Sequence, residues 1–190
     1  MKTKLLFLIT AVSLSFASCG NKNAETAEIE DAFAYPLEIE NYTFSDSSKY
    51  ANISIKAVLP VAKDSVSQVI RDSLANIIGN SIRSYQGVQM EDTKPLIAKY
   101  NGDEKDAKSM FDYYCKEVSK MVNSQAKYEY DEKVKCWEED TTRTDEQRKE
   151  YKEEIAPWDY TMNVSKTFED STYVVFYGSE YAFNGGAHGG

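Results

Sequence analysis

Tyr50-Ala51-Asn52-Ile53-Ser54-Ile55-Lys56-Ala57-Val58-Leu59-Pro60 is the stretch whose reading decides the fold class. Ala51, Ile53, Ile55, Ala57 and Leu59 alternate with Asn52, Ser54 and Lys56. This period of two describes a half-buried strand, and Pro60 ends it. The pattern then changes. Val66, Val69, Ile70, Leu74, Ile77, Ile78 and Ile82 recur at three- and four-residue spacing, as the apolar stripe of a helix does. Ser65 with Gln68 has the form of a capping box at its start. A strand with one apolar face followed by a helix with one apolar stripe implies that the two pack together.

Reading outward from this unit, Ile39 to Phe44 forms a short strand. Ser45-Asp46-Ser47-Ser48 has turn composition, which gives an N-terminal hairpin. Downstream, Gly87 to Gly102 is loop-like and contains Pro95. A second helix runs from about Glu104 on Ala107, Met110, Phe111, Tyr114, Val118, Met121 and Val122. Its end is open, because Ala126, Tyr128, Tyr130, Val134 and Cys136 fit either ragged helix or strand. Thr144 to Ile155 is highly charged, opens with a Thr144/Gln147 capping pattern and reads as a solvated helix. Trp158, Tyr160, Met162, Val164 and Phe168 alternate again. After the turn Glu169-Asp170-Ser171, Thr172 to Phe183 is apolar and aromatic on both faces, the composition of a central strand. The expected fold is α+β: an antiparallel sheet from N- and C-terminal hairpins packed on an amphipathic helix, with a helical insertion.

The N-terminus carries an address. Lys2 and Lys4 precede the apolar run Leu5 to Phe16, then Ala17-Ser18-Cys19-Gly20. The run has the length of a signal-peptide core and is short for a membrane span. Phe16-Ala17-Ser18-Cys19 resembles a lipobox, where a bacterial signal peptidase cuts before an acylated cysteine. The expectation is a lipoprotein signal over 1–18 and an anchor on Cys19. The alternative is an ordinary signal peptide cut after Ala17 or Ser18. Each buried acyl methylene contributes about 0.8 kcal/mol, so two or three chains hold a protein on a membrane. Residues 19–35 are polar and acidic and read as a tether.

The whole chain carries a formal charge of −9, and loss of Lys2 and Lys4 with the signal makes it −11. Nucleic acids and anionic headgroups need basic partners and are disfavoured. A cationic partner is compatible. Cys115 and Cys136 would sit in an oxidising compartment, where either a disulfide between them or two separate buried thiols fits. His188 is the sole histidine, so a zinc site lacks ligands. No motif supplies a catalytic nucleophile with a placed base. The reading is therefore non-enzymatic, with no catalytic residue, cofactor or metal assigned.

One motif stands out. Tyr181-Ala182-Phe183-Asn184-Gly185-Gly186-Ala187-His188-Gly189 ends the last strand in a glycine-rich run, where backbone needs positive φ or close approach. With the preceding Tyr173 to Glu180, it resembles the junction of the PdaC/RsiV-like extracytoplasmic family. There a strand of the form Y-x-Y/F-x-G-G-A-H-G joins a domain found in PdaC-type peptidoglycan deacetylases to one found in the RsiV-type lysozyme sensor. The resemblance covers about residues 36–190, with its specific motif at 181–189. It implies an α+β domain over 36–184 and a junction over 185–190 leading to a second domain, which is missing from this chain. Tyr181, Gly185, Gly186, Ala187, His188 and Gly189 are the binding or junction residues it points to. His188 reads first as a loop-fixing residue, then as a binding residue, then as a catalytic one. The function expected is a lipid-anchored envelope module that binds or senses peptidoglycan, another glycan, or a lysozyme-like cationic protein. The other class is part of an envelope hydrolase completed by a C-terminal domain.

Overall fold

The computed structural model describes residues 35–85, 97–103 and 105–185. The chain runs β1 (Ile39–Ser47), β2 (Ala51–Pro60), α1 (Ser65–Ser84), α2 (Ala107–Glu139), α3 (Asp145–Glu154), β3 (Trp158–Glu169) and β4 (Val174–Phe183). The strands form one sheet in the order β1-β2-β3-β4, and the fold class is α+β.

The alternation of β2 is realised residue by residue. Ala51, Ile53, Ile55, Ala57 and Leu59 are buried, while Lys56 between them is exposed. Trp158, Tyr160, Met162 and Val164 of β3 are buried on the same face. Onto it pack α1, through Leu74, Ala75, Ile78 and Ile82, and α2, through Met110, Phe111, Tyr114, Val118 and Val122. Asp64 is the N-cap of α1, one residue before the expected cap. Its carboxylate accepts from Ser67 N–H at 2.6 Å, and the Ser67 hydroxyl accepts from Asp64 N–H, so the box is Asp64/Ser67 rather than Ser65/Gln68. Val69 points to solvent instead of joining the stripe. The Thr144/Gln147 box of α3 forms as expected, and α3 buries no residue.

Three expectations are corrected. The two hairpins are antiparallel within themselves, but β2 and β3 pair in parallel, so the sheet is mixed. The connection through three helices is long enough to bring β3 back beside the start of β2 in the same direction. Second, β4 lies at the sheet edge rather than its centre. Third, α2 is one continuous helix from Ala107 to Glu139, with Cys115 and Cys136 both on it. Twenty-one residues of helix separate them by about 31 Å, far beyond the reach of a disulfide. Cys115 is buried, Cys136 is exposed, and both are free thiols.

Candidate functional site

Pairing across the sheet fixes which side chains share its outer face. Three rows cross it: Ser47, Asn52, Asp159 and Phe183; Ser45, Ser54, Thr161 and Tyr181; Thr43, Lys56, Asn163 and Ser179. Beyond them Asn41 faces Val58, and Ser165 faces Tyr177. The helices pack on the opposite face, and no described element covers this one. Only Lys56 and Asp159 are charged among these residues, in a chain that is 28% charged. Asp159 accepts a hydrogen bond from the Asn52 amide at 3.1 Å. The remainder is mostly hydroxyls and amides, with aromatic rings concentrated on β4: Tyr177, Tyr181 and Phe183. Tyr181 is 45% exposed. The face thus combines many neutral donors and acceptors with amphipathic rings.

The β4 end of this face leads to Gly185, the described start of the glycine motif. Gly185 has φ +75°, so a residue with a Cβ would be strained there. A Cβ would also come within 3.1 Å of Lys133 Nζ and 3.2 Å of Trp158 Nε1. Its carbonyl accepts from Lys133 Nζ at 3.4 Å. At the same end of the sheet, Lys49 Nζ lies 4.7 Å from the centroids of both the Tyr50 and Tyr130 rings.

On the inner face, β4 brings Glu180 against the end of α1. Glu180 lines an apolar cleft of about 410 Å³ with Leu74, Ile77, Ser81, Met162 and Phe176. Burial pushes its carboxyl above the usual range, against weaker opposing hydrogen bonds with Tyr160 and Ser81. Glu180 Oε1 and the Tyr160 hydroxyl are buried without a hydrogen bond of normal geometry, yet they are close enough to shift each other's proton affinity. The Tyr85 ring lies 4.5 Å from that of Tyr160, tilted by 44°, and its hydroxyl donates to Asn184 Oδ1 at 3.0 Å. Burial, then the charge of Glu180, pushes the Tyr85 phenol up to about 12. This cluster secures the β4 edge to α1.

Of the residues singled out in the sequence, Tyr181 and Gly185 fall on the outer face and its rim. Gly186, Ala187, His188 and Gly189 lie outside the described residues, as does Cys19. Among the described residues, no three His, Cys, Asp or Glu side chains converge as a metal site would need, and no helix is long and apolar enough to cross a membrane. The joint polar face was not singled out from the sequence. Its signal was present in the outward residues of β2 and β3, but the strand order was required to assemble it.

No family model matches the chain, and no curated protein matches it significantly. Among solved structures, it is similar to a member of the DUF3298 family from Bacteroides fragilis, with 13% identity and a TM-score of 0.49. The match covers 81% of this chain and 52% of that one, so the chain spans about half the length of its structural neighbour.

Proposed function

We propose that this chain is a lipid-anchored, non-enzymatic module of the bacterial cell envelope, of the PdaC/RsiV-like type, that binds peptidoglycan-type glycan on the outer face of its sheet. The observation that carries the reading is that face itself. N-acetylated sugars present hydroxyls and amides at their rims and apolar C–H faces between them. A flat surface of Ser, Thr and Asn with Tyr177 and Tyr181 beside it matches both features. A lysozyme-like cationic partner would need a cluster of acids, and this face holds only Asp159. The anchor on Cys19 and the tether over 19–35 are supported by the N-terminal sequence and would hold the domain near the cell wall.

The test is cosedimentation with purified insoluble peptidoglycan. Tyr177→Ala/Tyr181→Ala should weaken binding by roughly 10-fold, taking each ring contact as about 0.5–1.5 kcal/mol. Melting temperature should stay nearly unchanged, because both rings lie on the outer face. Equal binding by the double variant, or no binding by the wild type, would refute the reading.

A further inference from the structure

We propose that the pocket at the Gly185 end of the sheet is a carboxylate-binding subsite, so that the glycan held on the outer face is an acidic one. The inference rests on the glycan reading and names the charge of the ligand. A small pocket opens there, lined by Lys49, Tyr50, Ala126, Tyr130, Lys133 and Trp158. The Tyr50 and Tyr130 rings meet edge to face at 5.4 Å. Lys49 Nζ sits over both, and Lys127 Nζ lies 5.7 Å from the Tyr50 centroid.

The lysines differ in what satisfies them. Lys127 pairs with Asp131, and Lys133 approaches Glu129 at 3.8 Å. Lys49 has no carboxylate partner and no hydrogen bond among the described residues; only ring faces hold it. Its ammonium therefore keeps three donors for an incoming group. With Lys127 and Lys133 each facing a carboxylate, the Lys49 ammonium is the one of the three left without an acidic partner. A single carboxylate supplies that partner, and the ring faces already favour a cation at this point.

The pocket lies at the end of the sheet where the first outer-face row runs. Tyr50 lies two residues before Asn52, and Trp158, which faces the helices, is followed by the outward Asp159 opposite Phe183, so the pocket sits at the same end of the sheet as that row, on its helix side. A sugar chain lying across the row Asn52–Asp159–Phe183 reaches the sheet end where Lys49 stands. Its carboxylate has two possible sources, a lactyl ether on the sugar or an attached peptide, and the chemistry at Lys49 is the same for both.

The test uses the mature domain with three probes measured by calorimetry: neutral tetra-N-acetylchitotetraose, the disaccharide of N-acetylglucosamine and N-acetylmuramic acid, and the same disaccharide carrying a tripeptide. At least one acid-bearing probe should bind 5- to 10-fold more tightly than the neutral one, and which does so identifies the source. Lys49→Gln should remove that advantage and leave the neutral probe's affinity and the melting temperature unchanged. If the neutral probe binds but the acids gain nothing, or if Lys49→Gln keeps their advantage, the subsite is refuted while the glycan face stands. If none of the three binds, the glycan reading fails and takes the subsite with it.

Discussion

Gly79 tests the helix crossing that supports the inner face of the sheet. It lies buried in α1 where α2 crosses. A Cβ there would stand 2.5 Å from Tyr114 Cε2 and 2.9 Å from Cδ2. Tyr114 is 3% exposed and its hydroxyl accepts the Tyr100 N–H at 3.0 Å, so the ring has nowhere to go without breaking that bond. Two effects oppose each other in Gly79→Ala. Removing glycine from a helix interior favours folding by about 1 kcal/mol. Overpacking costs about 1–3 kcal/mol, and losing the Tyr100 bond costs about 1 kcal/mol more. The clash wins, and the net loss is about 2 kcal/mol. For a domain near 150 residues this lowers the melting temperature by roughly 4–8 °C. Urea unfolding should show the loss at unchanged slope. Tyr114→Leu in the same chain should cancel most of the cost of Gly79→Ala, a coupling that a double-mutant cycle measures. If Gly79→Ala raises stability by the helix-propensity gain alone, the described crossing is wrong.

Other outcomes follow from the same structure. In the native mature protein, an alkylating reagent should label exposed Cys136 and spare buried Cys115, whose thiol burial holds well above its ordinary range; intact mass after brief labelling reads one adduct, and zero adducts would restore the disulfide. Glu180 is held above the usual carboxyl range, so its contribution to stability is full below about pH 4 and lost as pH rises through its folded value. Glu180→Gln should therefore stabilise the protein more at pH 7 than at pH 4 in thermal melts, and an equal effect at both would contradict its buried state. Cys19→Ser should move the protein from the membrane to the soluble fraction; a variant that still pellets, with no acyl mass on the wild type, would remove the anchor.

Where the sequence was readable, the reason was a period that one element could express alone. The β2 alternation and the Leu74, Ile78 and Ile82 stripe both met a single neighbouring layer, so local pattern matched burial. What depended on distant partners was hidden. The parallel β2–β3 junction depends on where a long helical connection returns. The extent of α2 was obscured because its second half leaves the sheet: Tyr128 is exposed and Trp137 stacks on Tyr151 of α3, so no buried stripe continues. β4 misled because its inner residues Phe176 and Glu180 meet α1 while Tyr177 and Tyr181 face outward; two-sided aromaticity resembled a central strand. At the candidate site, Tyr181 and Gly185 were visible as part of a motif. The face they border emerged only once the outward residues of four strands were brought into rows.

The proposed glycan-binding role of the outer face is tested most directly by a titration of the isotope-labelled mature domain with tetra-N-acetylchitotetraose, followed by amide chemical shifts. The account predicts perturbations that map to Ser54, Thr161, Asn163, Tyr177, Ser179 and Tyr181 and that leave the amides of Leu74, Ile78 and Val118 in place. Shifts centred on α1 and α2 with a silent outer face, or no shifts at millimolar ligand, would contradict it.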